Sequence, residues 1–349
     1  MHPPPNNLLS SSALLSPSQT GDFQTQFHRR WNHLNDPHVR ALAWLLDAPD
    51  LLDMHAVQWG GKIAHIASAD DEDSCVQQNT ALWLQTLDSA PEKRLALHAF
   101  LSTLSSTRLG LYAEKLMAFY FQQQHILKAH GLQVRTDKGN TIGEFDFLLE
   151  QPAGLAHLEF ATKFYLLETR NVAPLADDFI GPNLSDSLGQ KMNKILHRQL
   201  ILGQHPVAQS YLTGPLVSAQ ALVKGWLFYP DQDFVVPGAL GISATHCRGY
   251  WTALSLLTID NATRYVILPR LRWLAPAKVL RKDTLNATEV RLALDAHFSH
   301  DRAPVLLVTL RACGDEELEI TRGFVVPDDW AIRAEEKRRL ATIKVTKEV

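Results

Sequence analysis

Glu144, Asp146, His157, Glu159 and Lys163 crowd into one short stretch, GEFDFLLEQPAGLAHLEFATKF, residues 143–164. It reads as two strands around a Gln-Pro-Ala-Gly turn. Side chains alternate along a strand. Phe145, Phe147, Leu149, Leu158, Phe160 and Phe164 are therefore expected on one face and the five polar residues on the other. A turn at 151–154 pairs Glu150 with Leu155, and the same register sets Asp146 opposite Glu159 and His157 opposite Leu148. Directly opposed residues have Cβ atoms ~5 Å apart, so two carboxylates there repel. Two readings are open. The charged face is the wet side of a hairpin, or the carboxylates hold Mg²⁺ or Mn²⁺, which favour carboxylate, carbonyl and water oxygens. The second would suit phosphoryl chemistry, with a metal activating water and a Lys orienting it or neutralising charge. His157 reads as a surface residue beside the turn, with a metal ligand or base as its alternative.

The flanking segments must position these residues. RLGLYAEKLMAFYFQQQHILKAHG, residues 108–131, is apolar around most of a helical circumference and is expected to be a largely buried helix closed by Gly131. Glu114 shares a stripe there with Leu111, Ala118 and Phe121, a costly place for a carboxylate unless it is paired or metal-bound. Strands follow at LQVRT (132–136), TIGEFDFLLE and LAHLEFATKFYLL. GPNLSDSLGQKMNKILHRQLILG predicts a helix with Leu184, Leu188, Met192 and Ile195 on one face and Lys191, Lys194 and Arg198 on another. That basic stripe is by default a solvated face, or else a phosphate-contacting surface. Ser185 and Asp186 read as helix-start residues. KGWLFYP, residues 224–230, is a further strand. A sheet with helices before and after it tends to be covered on both sides, which favours the cation reading.

The chain has 349 residues, 46% hydrophobic and 20% charged, with a net charge of −3. It should fold around a sizeable core. Nucleic-acid binding would need a local basic patch. Cys75, Cys247 and Cys313 are too few and too scattered for a disulfide framework or a CxxC zinc site, and read as reduced thiols of a cytoplasmic protein. No apolar run has the ~18 residues of a membrane helix. Residues 1–21, rich in Pro, Ser and Asn, are expected to be a disordered tail, and 22–107 a helical region. In that region Asp36-Pro37 opens a helix that stops at Pro49, Trp44 and Trp59 are packing residues, 62–80 is a polar loop carrying Asp70, Asp71, Glu72 and Asp73, and two helices break near 105–107. Residues 108–230 form an α/β core. Residues 231–349 form a β-rich extension, with strands at 265–274, 303–312 and 318–327, a helix at 282–298 and a charged terminal helix. No GxxxxGK[ST], GxGxxG, HExxH or GxSxG arrangement occurs, so nucleotide hydrolysis, dinucleotide redox chemistry, zincin proteolysis and α/β-hydrolase chemistry have no support.

The order helix, three strands, helix, strand, with Asp on the second strand and Glu then Lys on the third, resembles the PD-(D/E)XK nuclease superfamily over about 108–230. The resemblance implies an α/β (α+β), restriction-endonuclease-like core. It also implies a metal-dependent nuclease in which Glu114, Asp146 and Glu159 hold Mg²⁺ or Mn²⁺, Lys163 assists the attacking water, and Lys191, Lys194 and Arg198 meet a DNA or RNA backbone. The superfamily spaces its acid and Lys as E-x-K. Here Ala161 stands where the Lys would be and Lys163 lies four residues past Glu159, ~13 Å along a strand rather than ~6.6 Å. That departure supports an alternative, a silent nuclease-like fold that binds nucleic acid or protein. From about 34 to 330 the chain also resembles the bacterial domain-of-unknown-function family 1853, in DPHVRALAWLLDAPDLL, RLGLYAEKL, GEFDFLLE, HLEFATKFYL, GPNLSDSLGQKMNKILHRQL, KGWLFYP and GFVVPDDW.

Overall fold

The computed structural model describes residues 23–66, 74–104, 106–169, 171, 173–230 and 234–348. The expected tail and the Asp70–Asp73 run lie outside them. The chain opens with helices α1 (Phe23–Trp31), α2 (Pro37–Asp47), α3 (Ser74–Ser89), α4 (Pro91–Ser102) and α5 (Leu109–Gln123). Asp36 caps α2 as expected, its carboxylate accepting the His38 and Val39 N–H groups at 2.8 and 3.2 Å. Trp44 and Trp59 are both buried. Residues 74–80, expected in a polar loop, belong to α3.

Strands β1 (Leu127–Arg135), β2 (Thr141–Gln151) and β3 (Gly154–Leu167) form a meander, and the two-residue strand β4 (Phe179–Ile180) pairs with the end of β3. Helix α6 (Leu188–Lys194) runs directly into a π-helical turn, Ile195–Gln199. After the short α7 (Pro206–Gln209), β5 (Leu216–Tyr229) returns parallel to β3, so the expected order of helix, three strands, helix and strand is present. Gly225 of β5 pairs with Lys163 of β3 and lets the two strands approach closely there. A Cβ there would run into the Lys163 carbonyl.

The segment after residue 230 is not a separate layer. Its strands β6 (Cys247–Ala253), β7 (Arg264–Ile267), β8 (Lys278–Leu280), β9 (Val305–Cys313) and β10 (Glu316–Val326) continue the same sheet. The order is β1-β2-β3-β5-β6-β10-β9-β7, with β4 beside β3 and β8 beside β10. Of the long run expected as a strand at 265–274, only 265–267 lies in a strand, because Pro269 leads into a 3₁₀ turn at Arg270–Arg272. Helices α8 (Ala287–His300) and α9 (Trp330–Glu348) complete the chain.

Both faces of the sheet centre are covered. Leu222, Trp226 and Phe228 of β5 enter the core under α2 and α5, while Val223, Leu227 and Tyr229 enter the core under α6. A strand buried on both faces is apolar throughout rather than alternating, which is how WLFY reads in the sequence.

Two irregularities shape the region of interest. Helix α5 stops at Gln123, seven residues before the expected end, where His125 takes a left-handed φ of 58°. Gly131 is therefore not a helix terminator. It lies inside β1 with φ 60°, between the His130↔Phe147 and Leu132↔Phe145 pairs, and so opposite Asp146. A left-handed residue kinks a strand. Beyond the kink Phe145 leaves the face of Phe147 and joins Val134, Leu148 and Leu202 in a small core on the other side.

A buried carboxylate and lysine cluster

The β2–β3 register is the expected one, running from Phe147↔Leu158 through Leu148↔His157 and Glu150↔Leu155 to Gln151↔Gly154. The ladder ends at the first of these pairs, and Asp146, one residue beyond it, turns its carboxylate to the β3 backbone. There the Phe160 N–H is met by the Asp146 carboxylate, Oδ2 accepting at 3.0 Å.

The charged face is not a wet face. Glu159 and His157 are each 1% exposed. His157, expected at the surface, is covered because Phe145, released by the kink, stands edge-on against its ring at 4.7 Å. Burial holds the His157 imidazole down at about 4. It is therefore neutral at pH 7, and its Nε2–H donates to Glu159 Oε1 at 2.7 Å. Its Nδ1 has no hydrogen-bond partner among the described residues. The second Glu159 oxygen, Oε2, accepts from the Gln199 side-chain amide.

Burial, then the charge of Glu159, pushes the Asp146 carboxyl up to about 7, against the pull of the Phe160 N–H. Burial likewise pushes Glu159 up to about 7, opposed by a hydrogen bond with Asp146 and by the charge of Lys191. Two coupled carboxyls in this state share a proton near neutral pH unless a cation takes its place.

Lys163 does not reach the pair. Its ammonium donates to Asp186 Oδ2 at 2.6 Å, and Tyr165 Oη donates to the same oxygen at 3.2 Å. Asp186 is thus not a helix-start residue. Ser187 caps α6, accepting the Gln190 N–H at 3.1 Å, and Leu184 is left-handed with φ 58° rather than part of the helical face. The lysine that senses the pair is Lys191. Its ammonium is lowered by burial and by the nearby charge of Lys163, and held up by Asp146 and Glu159. It donates to Gln199 Oε1 at 3.3 Å. Lys194 is exposed but close enough for its charge to reach Lys191. Arg198 is exposed on the π turn.

Glu114 stands apart. Its Oε1 is 2.8 Å from His130 Nε2, and the His130 ring stacks on Phe147. Its charge adds only a lesser upward push to Asp146 and Glu159. Among the described residues no group of three or more His, Cys, Asp or Glu side chains is arranged to hold a metal. Asp146 and Glu159 alone supply two hard oxygen donors, the number by which Mg²⁺ is commonly held before substrate phosphates complete its shell. Both Glu159 oxygens and Asp146 Oδ2 are already met by His157, Gln199 and the Phe160 N–H.

Gln199 and Tyr165 are the residues that sequence reasoning missed, and Asp186, read as a helix-start residue, is the partner of Lys163. The fold and site define a mixed α/β protein in which a buried Glu159 and a half-buried Asp146 lie together with Lys191 beside them. The chain matches the model of a domain of unknown function, DUF1853, over residues 40–326, and it belongs to that family. No curated protein and no solved structure matches it. No helix among the described residues is long and apolar enough to cross a membrane.

Proposed function

We propose that this protein hydrolyses phosphodiester bonds of DNA or RNA at the Asp146–Glu159 pair, with Mg²⁺ or Mn²⁺. The observation that carries this reading is the convergence of the buried Glu159 and the half-buried Asp146, both pushed up to about 7, with Lys191 beside them. A divalent ion held by the pair would supply Lewis acidity and a water acidic enough to attack at neutral pH. The chain's own groups do the rest. Asp146 is fixed by the Phe160 N–H and Glu159 by His157. Lys191 places positive charge where charge develops on the phosphoryl oxygens. Lys163, steadied by Asp186, and the exposed Lys194 receive adjoining phosphates. Lys191 thus takes the role that the E-x-K pattern assigns to a strand lysine.

The test is nicking and degradation of single- and double-stranded DNA and RNA with Mg²⁺ or Mn²⁺, comparing the wild type with Asp146→Ala and Lys191→Met. Cleavage lost in both variants supports the reading. Equal cleavage in the wild type and Asp146→Ala refutes it. One observation favours a second reading, a silent nuclease-like module. Lys163 is tied to Asp186 and both Glu159 oxygens are already engaged. Metal-independent nucleic-acid or protein binding by a folded wild type that never cleaves would establish that reading instead.

A further inference from the structure

The α-helical rule places residues eight apart about 80° apart around the axis, so Gln199 should not share a face with Lys191. It does so because the helix changes form. From Ile195 to Gln199 the chain is π-helical, and the Leu200 N–H reaches back to the Ile195 carbonyl at 2.9 Å. Each residue turns the chain less in an i→i+5 helix than in an α-helix. Five such residues bring Gln199 back above β3, where its amide meets two partners at once. The NH₂ group donates to Glu159 Oε2, and the carbonyl accepts from the Lys191 ammonium at 3.3 Å. With the His157 bond to Glu159 Oε1 this forms one chain of hydrogen bonds, His157 to Glu159 to Gln199 to Lys191.

A π turn is rare and recurs at functional sites. Here its product is a bridge between an acid on a strand and a base on a helix. A neutral amide suits that place because it donates at one end and accepts at the other. A carboxylate would repel Glu159, and an ammonium could not accept from Lys191. His157 meets one Glu159 oxygen and Gln199 the other, so the direction in which Glu159 presents its charge depends on both.

We propose that Gln199 is a positioning residue, which the π turn places so that its amide holds the Lys191 ammonium in register with the Glu159 carboxylate. The proposal rests on the phosphodiester reading for its consequence and on the bridge alone for its geometry. Outer partners of this kind typically carry 10- to 100-fold in activity or metal affinity.

Gln199→Met keeps the length of the side chain and removes both bonds. The expected result is a kcat lower by about 10- to 100-fold, with KM and the melting temperature unchanged. The exposed His197 lies in the same turn, and His197→Ala is expected to leave kcat in place. A second measurement does not depend on cleavage. The Gln199 side-chain amide gives a pair of ¹⁵N–¹H signals, assigned by their loss in Gln199→Met. They are expected to move in both Lys191→Met and Glu159→Gln, and to broaden first when Mn²⁺ is added. Signals that stay in place in both variants overturn the proposal, whether or not the protein cleaves nucleic acid. So does an active wild type whose kcat survives Gln199→Met. A wild type that cleaves nothing while the signals move as stated removes the phosphodiester reading and leaves the bridge standing.

Discussion

Removing a charge from the carboxylate pair should make the protein more stable and less able to bind a metal. In the folded chain Asp146 titrates at about 7, against 3.8 for the free group. An acid whose folded pKa is raised destabilises the fold wherever the unfolded chain is ionised and the folded one is not. The loss begins as pH rises through about 4, grows until about 7 and is constant above that. About three pH units correspond to roughly 4 kcal/mol at most. Asp146 is partly exposed and titrates jointly with Glu159, so solvent and proton sharing reduce this to about 2 kcal/mol. In Asp146→Asn the side-chain amide oxygen can still accept the Phe160 N–H, so the substitution removes the charge and little else. In EDTA at pH 8 the variant should melt about 3 °C above the wild type. The gap should close by pH 4, where both chains carry neutral groups. Mg²⁺ should then reverse the order at pH 8, stabilising the wild type and leaving the variant unmoved. Melting curves at pH 4, 6 and 8, with and without Mg²⁺, read the whole pattern. A variant less stable at pH 8, or a gain that does not depend on pH, would refute the account of Asp146 as a carboxyl held up by burial and by the charge of Glu159.

Other perturbations separate the site from its scaffold. Asp186→Asn weakens the 2.6 Å ion pair that anchors Lys163, and is expected to weaken nucleic-acid binding several-fold with little change in melting temperature, read by fluorescence anisotropy at fixed salt. Lys224 is fully buried, 2.7 Å from Asp50 and bonded to the Ala48 carbonyl behind α2. Lys224→Met leaves that carboxylate with only His65 and should cost about 3–5 kcal/mol in denaturant unfolding. Asp36→Ala removes the α2 cap and should cost about 1–2 kcal/mol, with nucleic-acid cleavage unaffected at temperatures below the melt.

Regular elements were legible in the sequence, and for a physical reason. Asp36-Pro37, the Gln-Pro-Ala-Gly turn and the alternation through GEFDFLLE each encode their structure within a few residues. The β2–β3 register therefore followed from the turn alone. Non-local pairing was less legible. Nothing within residues 231–349 announces that their strands lie edge to edge with β5, because a strand buried on both faces carries no mark of its neighbour. The end of α5 was misplaced because Gln122, Gln123 and Gln124 are good helix formers that give no stop signal, while His125 turns the chain in the left-handed region.

The site itself was only half legible, and the missing half lies where regularity breaks. Reading faces from a period of two or 3.6 assumes an unbroken strand and an unbroken helix. Gly131 breaks the first assumption opposite Asp146, and the π turn breaks the second before Gln199. The kink sends Phe145 across the sheet to bury His157, which makes that imidazole a neutral donor to Glu159 instead of a solvated cation. The π turn brings the amide that joins Lys191 to the same carboxylate. Glycine inside a strand pattern is itself a sign of such a break, so Gly131 could have been weighed as a kink beside Asp146. The π turn had no comparable sign in ILHRQ. Lys163, the residue that most invited attention in the sequence, kept to its strand and met Asp186. Lys191, expected on a basic stripe that is solvated or meets a nucleic-acid backbone, lies by the carboxylates because the helix carrying it covers them.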